Sequence, residues 1–139
     1  MIDIVEPVDT ASWRRAVGAT GLLAGLADPK LARAITAMHD APQTAWSLEA
    51  LAAKAGMSRA RFAAAFKDAV GVTPGDYLAD WRMNVSCTLL KQGRPVAVVA
   101  DRVGYGSPNA LARAFRVRMG CAPRDWLAQQ RGDAALSGS

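Results

Sequence analysis

Apolar residues recur at helical spacing from residue 28 onward, and the same region lacks the apolar–polar alternation that is typical of strands. The first face of this kind contains Leu31, Ile35 and Met38. Asp28-Pro29 precedes it, and this pair predicts a helix start because aspartate caps a helix and proline suits its first position. We therefore predict an all-α fold.

One pattern of apolar residues and glycines occurs twice, 49 residues apart. The first copy has Phe62, Phe66, Lys67, Gly71, Pro74, Tyr77 and Leu78, and the second has Leu111, Phe115, Arg116, Gly120, Pro123, Trp126 and Leu127. Upstream the spacing is 48, where Leu48, Leu51, Ala52 and Gly56 correspond to Val96, Val99, Ala100 and Gly104. Each copy predicts a short helix, a glycine turn and a second helix, which together form a helix-turn-helix unit.

These boundaries divide the chain into two helix-turn-helix units and a linker helix. We predict the first unit at about residues 47–70, the linker helix at 73–92 and the second unit at about 95–119. With one helix before and one after, the prediction is a seven-helix bipartite domain over residues 28–131. We expect residues 1–27 to be a partly ordered leader interrupted by glycines, and residues 132–139 to be a disordered tail.

The predicted inward residues follow from the same spacing. In the first helix of the first unit they are Leu48, Leu51, Ala52 and Ala55, and in the linker helix they are Tyr77, Leu78, Trp81, Val85 and Leu89. We also expect Trp46 to lie in the core. The single histidine, His39, is expected to lie on the surface or to interact with the C-terminal dipole of the first helix.

The net charge of +5 is concentrated in the repeated region, where residues 28–131 hold 15 basic and 8 acidic side chains. Such an excess favours polyanionic partners, and nucleic acid is a better candidate than an anionic membrane.

No signal peptide or apolar stretch of about 18 residues occurs, so we expect a cytoplasmic protein without a membrane partner. Cys87 and Cys121 lie far apart, which suggests neither a disulfide framework nor a zinc site. No nucleophile–base pair or carboxylate pair is apparent, so we expect no enzymatic activity, cofactor or metal.

The second helix of each unit has an apolar side and an opposite side that is free to contact a partner. At about 100° per residue, Phe62 and Phe66 direct the first of these helices inward, as Leu111 and Phe115 direct the second. The opposite sides hold Ala60, Ala64 and Lys67 in the first unit, and Asn109, Arg113 and Arg116 in the second. Arginine can pair with guanine and asparagine with adenine, so the second unit has the chemistry for direct recognition of bases.

The first unit lacks such side chains, and we expect it to position the domain on phosphates through Arg59, Lys67 and helix N-terminal amides. Ala60 and Ala64 could add apolar contacts to thymine methyl groups. Ser58 and Ser107 are predicted to cap the two second helices and to lie close to phosphate groups.

Residues 28–131 resemble the DNA-binding domain of AraC/XylS-type transcription regulators. The resemblance is strongest in the second half, at Val99-Ala100, Val103-Gly104-Tyr105, Phe115-Arg116 and Gly120-Cys121-Ala122-Pro123. It implies two recognition helices in adjacent major grooves, with base contacts at Ala60, Ala64, Asn109 and Arg113. Residues 21–46 are similar to the subgroup with an N-terminal cupin-like sensor, and residues 1–27 are too short for such a barrel, so we expect the sensor domain to be absent.

Three functions are compatible with these patterns. The first is a sequence-specific bacterial transcription regulator that binds double-stranded DNA, with RNA polymerase as a further candidate partner and a monomer as the expected state. The second is a degenerate helix-turn-helix module that binds another regulator or the polymerase, which the alanine-rich first recognition helix supports. The third is a small-molecule binder that uses Trp46 and Trp81 to line a pocket.

Overall fold

The computed structural model describes residues 18–137, and side chains are described for residues 21–132. This part of the chain contains eight helices and no strand, which confirms the all-α prediction. The helices are α1 (Gly18–Ala27), α2 (Pro29–Asp40), α3 (Leu48–Ala55), α4 (Arg59–Val70), α5 (Pro74–Lys91), α6 (Val96–Arg102), α7 (Pro108–Met119) and α8 (Pro123–Ser137).

Two helix-turn-helix units are present, with α3 and α4 forming the first unit and α6 and α7 the second. The glycine between the helices of each unit has a positive φ, at 68° for Gly56 and 87° for Gly104. That conformation strains residues with a side chain, which explains why both turns carry glycine. The helix α5 joins the units, and its 18 residues correspond to a length of about 27 Å.

Polar side chains begin most of the helices, as the sequence predicts. Asp28 caps α2, Ser47 caps α3 and Thr73 caps α5, each accepting hydrogen bonds from backbone amides inside its helix. Each cap satisfies an amide that would otherwise lack an intrahelical partner, a contribution of about 1 kcal/mol. The helix α6 differs because it starts after Pro95, which has no side chain that could cap it.

The buried residues form two apolar clusters, one around each unit. The first contains Leu31, Ala34, Ile35, Met38, Leu51, Ala52, Ala55, Phe62, Phe66, Val70, Tyr77 and Leu78. The second contains Met83, Cys87, Leu90, Val99, Ala100, Val103, Leu111, Phe115 and Trp126. The helix α5 contributes to both clusters, so the linker is also a structural part of each unit.

Within the expected leader, residues 18–27 form a helix that packs against α4. Two of the glycines that were expected to interrupt this segment lie at the contact. A Cβ on Gly21 would collide with the Val70 carbonyl oxygen, and a Cβ on Gly25 would lie 2.8 Å from Val70 Cγ2. Each glycine costs about 1 kcal/mol of helix propensity relative to alanine, and here the close approach of α1 and α4 depends on both. Residues 1–17 lie outside the described part.

The last helix also departs from the prediction, because α8 continues to Ser137 instead of ending near Arg131. Gly132 does not terminate it, and the alanines and leucine that follow favour helix. Residues 132–137, which the sequence analysis expected in a disordered tail, are thus drawn as the last part of α8.

Four residues that were predicted to lie inward are less buried than expected. Leu48 is 36% exposed at the start of α3, while Val85 and Leu89 are half-buried beside the second cluster. Because the linker helix contacts two units in turn, its buried side shifts along its length to Met83, Cys87 and Leu90. Trp46 is half-buried, and its indole Nε1 donates a hydrogen bond of 2.9 Å to the Ala41 carbonyl.

Candidate nucleic-acid interface

The second helix of each unit presents one exposed side, and its serine cap fixes where the helix starts. The Ser58 hydroxyl accepts a hydrogen bond of 3.3 Å from the Arg61 amide, and the Ser107 hydroxyl accepts one of 3.1 Å from the Ala110 amide. Both serines are exposed, as are the first residues of α4 and α7. The amides of an exposed helix N-terminus are suited to binding a phosphate oxygen.

On α7 the buried and exposed residues lie on opposite sides. Leu111 and Phe115 are fully buried, whereas Asn109, Arg113 and Arg116 are exposed. Within residues 18–137, none of these three exposed side chains takes part in a hydrogen bond or ion pair. Their donors and acceptors are therefore free for an external partner, and the arginines offer planar groups that can form two parallel hydrogen bonds.

Val117 extends this exposed side of α7, and the sequence reasoning did not select it. Its side chain is 83% exposed, more than any other large hydrophobic residue that the structure describes. It follows Arg113 by four residues, so the two lie about 40° apart around the helix. The sequence alone could have placed Val117 on this side of α7, because it lies four residues after Arg113. A valine there can contact a thymine methyl group.

On α4 the corresponding side is apolar and small. Ala60, Ala64 and Lys67 are exposed, opposite the buried Phe62 and Phe66. The alanines line a groove of about 890 Å³ that also includes Leu48 and Pro74. Arg59 lies at the start of α4, where its guanidinium is 3.4 Å from the Glu49 carboxylate in an exposed ion pair. Such an exposed pair contributes little and leaves Arg59 able to exchange partners.

An ion-pair network joins α7 to the linker helix, and the sequence reasoning did not anticipate it. Arg118 donates from Nη1 to Asp80 over 2.9 Å and from Nη2 to Asp76 over 3.2 Å. Burial raises the pKa of the Asp80 carboxyl, and the neighbouring Arg118 partly offsets this effect. One of the basic side chains of α7 therefore orients the helix against α5 instead of facing outward.

His39 lies in the last turn of α2, as the sequence predicts, but it does not lie on the surface. It is half-buried, with its ring 3.9 Å from the ring of Trp81 between centroids and its Nε2 sharing a hydrogen bond of 2.6 Å with the Tyr77 hydroxyl. Burial lowers the pKa of His39 to about 4, despite the opposing effect of Asp40. Both partners belong to α5, so His39 connects α2 to the linker helix and contributes to the structure of the first unit.

Among the described residues, no three potential metal ligands come together, and no helix is both long and apolar enough to cross a bilayer. The features that remain are two exposed second helices, each held by a glycine turn, a serine cap and a buried aromatic residue. This arrangement defines the class of helix-turn-helix proteins.

Comparisons with known proteins agree with the helix-turn-helix class and identify the family within it. Residues 51–129 match the family model described as "Helix-turn-helix domain". A putative AraC-like transcription regulator of Streptomyces antibioticus is 44% identical over 108 residues, which are 77% of this chain and 36% of that protein. The RCS-specific transcriptional activator RclR of Escherichia coli is 36% identical over 111 residues, which are 79% of this chain and 39% of that protein. The chain belongs to the AraC-type helix-turn-helix family.

Solved structures show the same fold. The DNA-binding domain of AdpA, a global transcriptional factor whose structure is in complex with a target DNA, superposes with a TM-score of 0.69 at 32% identity, covering 76% of this chain and 96% of that one. An AraC-type transcriptional regulator from Chromobacterium violaceum gives a TM-score of 0.67 at 26% identity, covering 74% and 93%. The chain spans less than two fifths of the length of the two curated relatives described above.

Proposed function

We propose that this protein binds duplex DNA sequence-specifically in transcription regulation, with α4 and α7 in adjacent major grooves on one face of the DNA. The observation that carries the proposal is the exposed side of α7, where Asn109, Arg113 and Arg116 face outward without protein partners. An arginine can donate two hydrogen bonds to guanine, and an asparagine can form a pair with adenine. The DNA-binding domain of AdpA, whose structure is in complex with a target DNA, supports the proposal through its shared fold.

The two units have different roles in this proposal. The second unit contacts base edges through Asn109, Arg113 and Arg116, with Ser107 close to a phosphate group. In the first unit Ser58, Arg59 and Lys67 contact the DNA backbone, while Ala60 and Ala64 let the helix approach closely and contact thymine methyl groups. The protein acts as a non-enzymatic monomer in the bacterial cytoplasm, with RNA polymerase as a further partner.

An alternative is a module that binds another protein and has little affinity for DNA. The apolar groove beside Ala60 and Ala64 favours this alternative, because its lining offers few hydrogen-bonding groups. An apolar helix side in a groove is a common mode of protein recognition. The positive charge of α7 favours DNA, since a protein partner would have to neutralise Arg113 and Arg116.

Selection of bound duplexes from a random pool, followed by footprinting, tests the proposal. We expect a bipartite site with its halves about one helical turn apart. In a mobility-shift titration across salt concentrations, four to six phosphate contacts give a log–log slope of about −4 to −5. Lys67→Ala should make that slope less steep by about one phosphate contact, because Lys67 is assigned to the DNA backbone. Arg33→Ala is the matched control, because Arg33 is exposed on α2 outside both units.

The same measurements separate the alternatives. A protein-interaction module would select no duplex, and its weak DNA binding would be independent of Arg113 and Arg116. A selected site with only one half would show that the second unit alone recognises sequence, and would contradict the bipartite mode of binding.

A further inference from the structure

Arg82 lies on the linker helix and binds the loop that precedes the first unit. Its Nε donates a hydrogen bond of 2.9 Å to the Pro42 carbonyl, and its Nη2 donates one of 2.8 Å to the Thr44 carbonyl. These two backbone acceptors lie between α2 and α3. Because both bonds come from one planar guanidinium, they restrain the orientation of the loop as well as its distance from α5.

The same guanidinium contacts the second unit. Its central carbon lies over the Tyr105 ring, 5.7 Å from the ring centroid, which is within range of a cation–π interaction. Tyr105 belongs to the turn between α6 and α7, and its side chain is half-buried. One side chain of the linker helix therefore contacts the loop before the first unit and the turn inside the second.

A direct contact between that loop and that turn is formed beside Arg82. A Cβ on Gly104 would lie 2.9 Å from the Gln43 carbonyl oxygen, closer than side chains tolerate. Gly104 also has a φ of 87°, so its lack of a side chain serves both the turn and the close approach of the loop. The turn of the second unit thus rests on the backbone that leads into the first.

We propose that Arg82 is a positioning residue that fixes the relative orientation of the two units and, through it, the half-site spacing that the protein accepts. This inference rests on the proposed DNA-binding function. Adding one base pair between half-sites rotates one half by about 35° and moves it by about 3.4 Å relative to the other. A protein with rigidly connected units must deform the DNA to follow such a change, whereas one with loosely connected units can adjust itself.

The test compares duplexes whose half-sites, taken from the selected site, are separated by the selected spacing or by one or two base pairs more or fewer. The variant is Arg82→Met, which keeps an unbranched apolar side chain and removes the guanidinium. Arg94→Met is the matched control, because Arg94 is an exposed arginine between α5 and α6 and its substitution changes the net charge equally. Tyr105→Leu is a second variant that removes only the aromatic contact.

We expect the natural protein and Arg94→Met to lose about tenfold or more in affinity for each base pair of altered spacing. Arg82→Met should bind the selected spacing more weakly and show a flatter profile, within about threefold across the series. Tyr105→Leu should flatten it to a smaller extent. A general loss of stability would lower the affinity equally at every half-site spacing. If Arg82→Met lowers the affinity equally at every spacing, the proposal is overturned.

A measurement without DNA decides the structural half of the inference. Lys54 and Arg102 occupy corresponding exposed positions on α3 and α6, 48 residues apart. Spin labels at Lys54→Cys and Arg102→Cys, in a Cys121→Ser background, should give a narrow distance distribution that Arg82→Met broadens. An unchanged distribution overturns the proposal. If the natural protein selects no bipartite duplex, the proposed function and the spacing role both fail, while the distance measurement still shows whether Arg82 holds the units together.

Discussion

The two helix-turn-helix units repeat each other in their buried residues and differ on their exposed sides. Phe62 and Phe66 of α4 are as fully buried as Leu111 and Phe115 of α7. The outward positions have diverged from Ala60, Ala64 and Lys67 to Asn109, Arg113 and Arg116. Packing restricts a buried position to residues of similar volume and polarity, whereas an exposed position is limited mainly by what it binds. The comparison separates the part of each unit that maintains the fold from the part that contacts a partner.

The units also differ in what surrounds them. The first is covered by α1 and α2, and α1 packs closely on α4 through Gly21 and Gly25. The second is covered by α8 and is tied to α5 by the ion pairs of Arg118. The helix that carries the arginines is therefore held by ion pairs in addition to its buried apolar residues, while the alanine-rich helix is held by apolar contacts.

The largest expected effect tests whether the two clusters unfold together. Phe66→Ala and Phe115→Ala should each lower the free energy of unfolding by about 3–5 kcal/mol, because each removes a fully buried ring. Since α5 contributes side chains to both clusters, we expect one cooperative transition in urea that both substitutions shift. Circular dichroism and tryptophan fluorescence should give coincident curves.

The control for this pair is Val117→Ala, which shortens an 83% exposed side chain on α7 and should change stability by about 0.5 kcal/mol or less. Two separate transitions, of which each phenylalanine substitution shifted only one, would show that the units fold independently. That result would also weaken the inference that Arg82 joins them rigidly.

The sequence was sufficient to predict the features that depend on local patterns. Serine caps, glycine turns and the burial of Phe62, Phe66, Leu111 and Phe115 follow from spacing within a few residues. The contacts of Arg82 and Arg118 were not predictable in this way, because their partners lie about 40 residues away along the chain. The helix α1 was indicated only weakly by the sequence, since its glycines lower helix propensity and its contacts with α2 and α4 offset that cost.

The candidate site was predictable only in part. The outward positions of α4 and α7 follow from helical periodicity once their buried residues are identified. Whether an exposed arginine is free or paired depends on neighbours from other helices, so Arg113 and Arg118 look alike in the sequence although only Arg118 has acidic partners. The roles of the exposed residues in binding remain predictions.

Exchanging the residue types at corresponding exposed positions of the two units tests the difference between their exposed sides. Ala64 and Arg113 occupy corresponding positions, 49 residues apart. Arg113→Ala should cost about 1–3 kcal/mol of binding free energy and relax the preference at one base pair of the second half-site. Ala64→Arg should add a preference of similar size at one base pair of the first half-site, because a guanidinium at that position can reach a guanine edge.

Both variants would be compared in mobility-shift titrations on duplexes carrying each single base substitution. Ala64→Gln is a control for size without charge, and its effect should depend on the base without changing the salt dependence. Unchanged base preference in Arg113→Ala would contradict the assignment of α7 to base recognition.

A smaller effect, taken per pH unit, concerns a titratable ring packed beside the first unit, because His39 of α2 is the only histidine of the chain. Burial lowers its pKa in the folded protein to about 4, below the ordinary value of 6.5. Between these values the unfolded chain binds more protons than the folded one, so stability is lost as the pH falls from about 6.5 towards 4. The loss of unfolding free energy caused by protonation of His39 approaches about 1.4 kcal/mol for each pH unit within that window.

His39→Phe retains an aromatic ring beside Trp81. It should reduce the slope of unfolding free energy against pH by this amount, measured by urea titrations at several pH values. Equal slopes in the two proteins would show that protonation of His39 does not oppose folding, and would remove this distinction between the units.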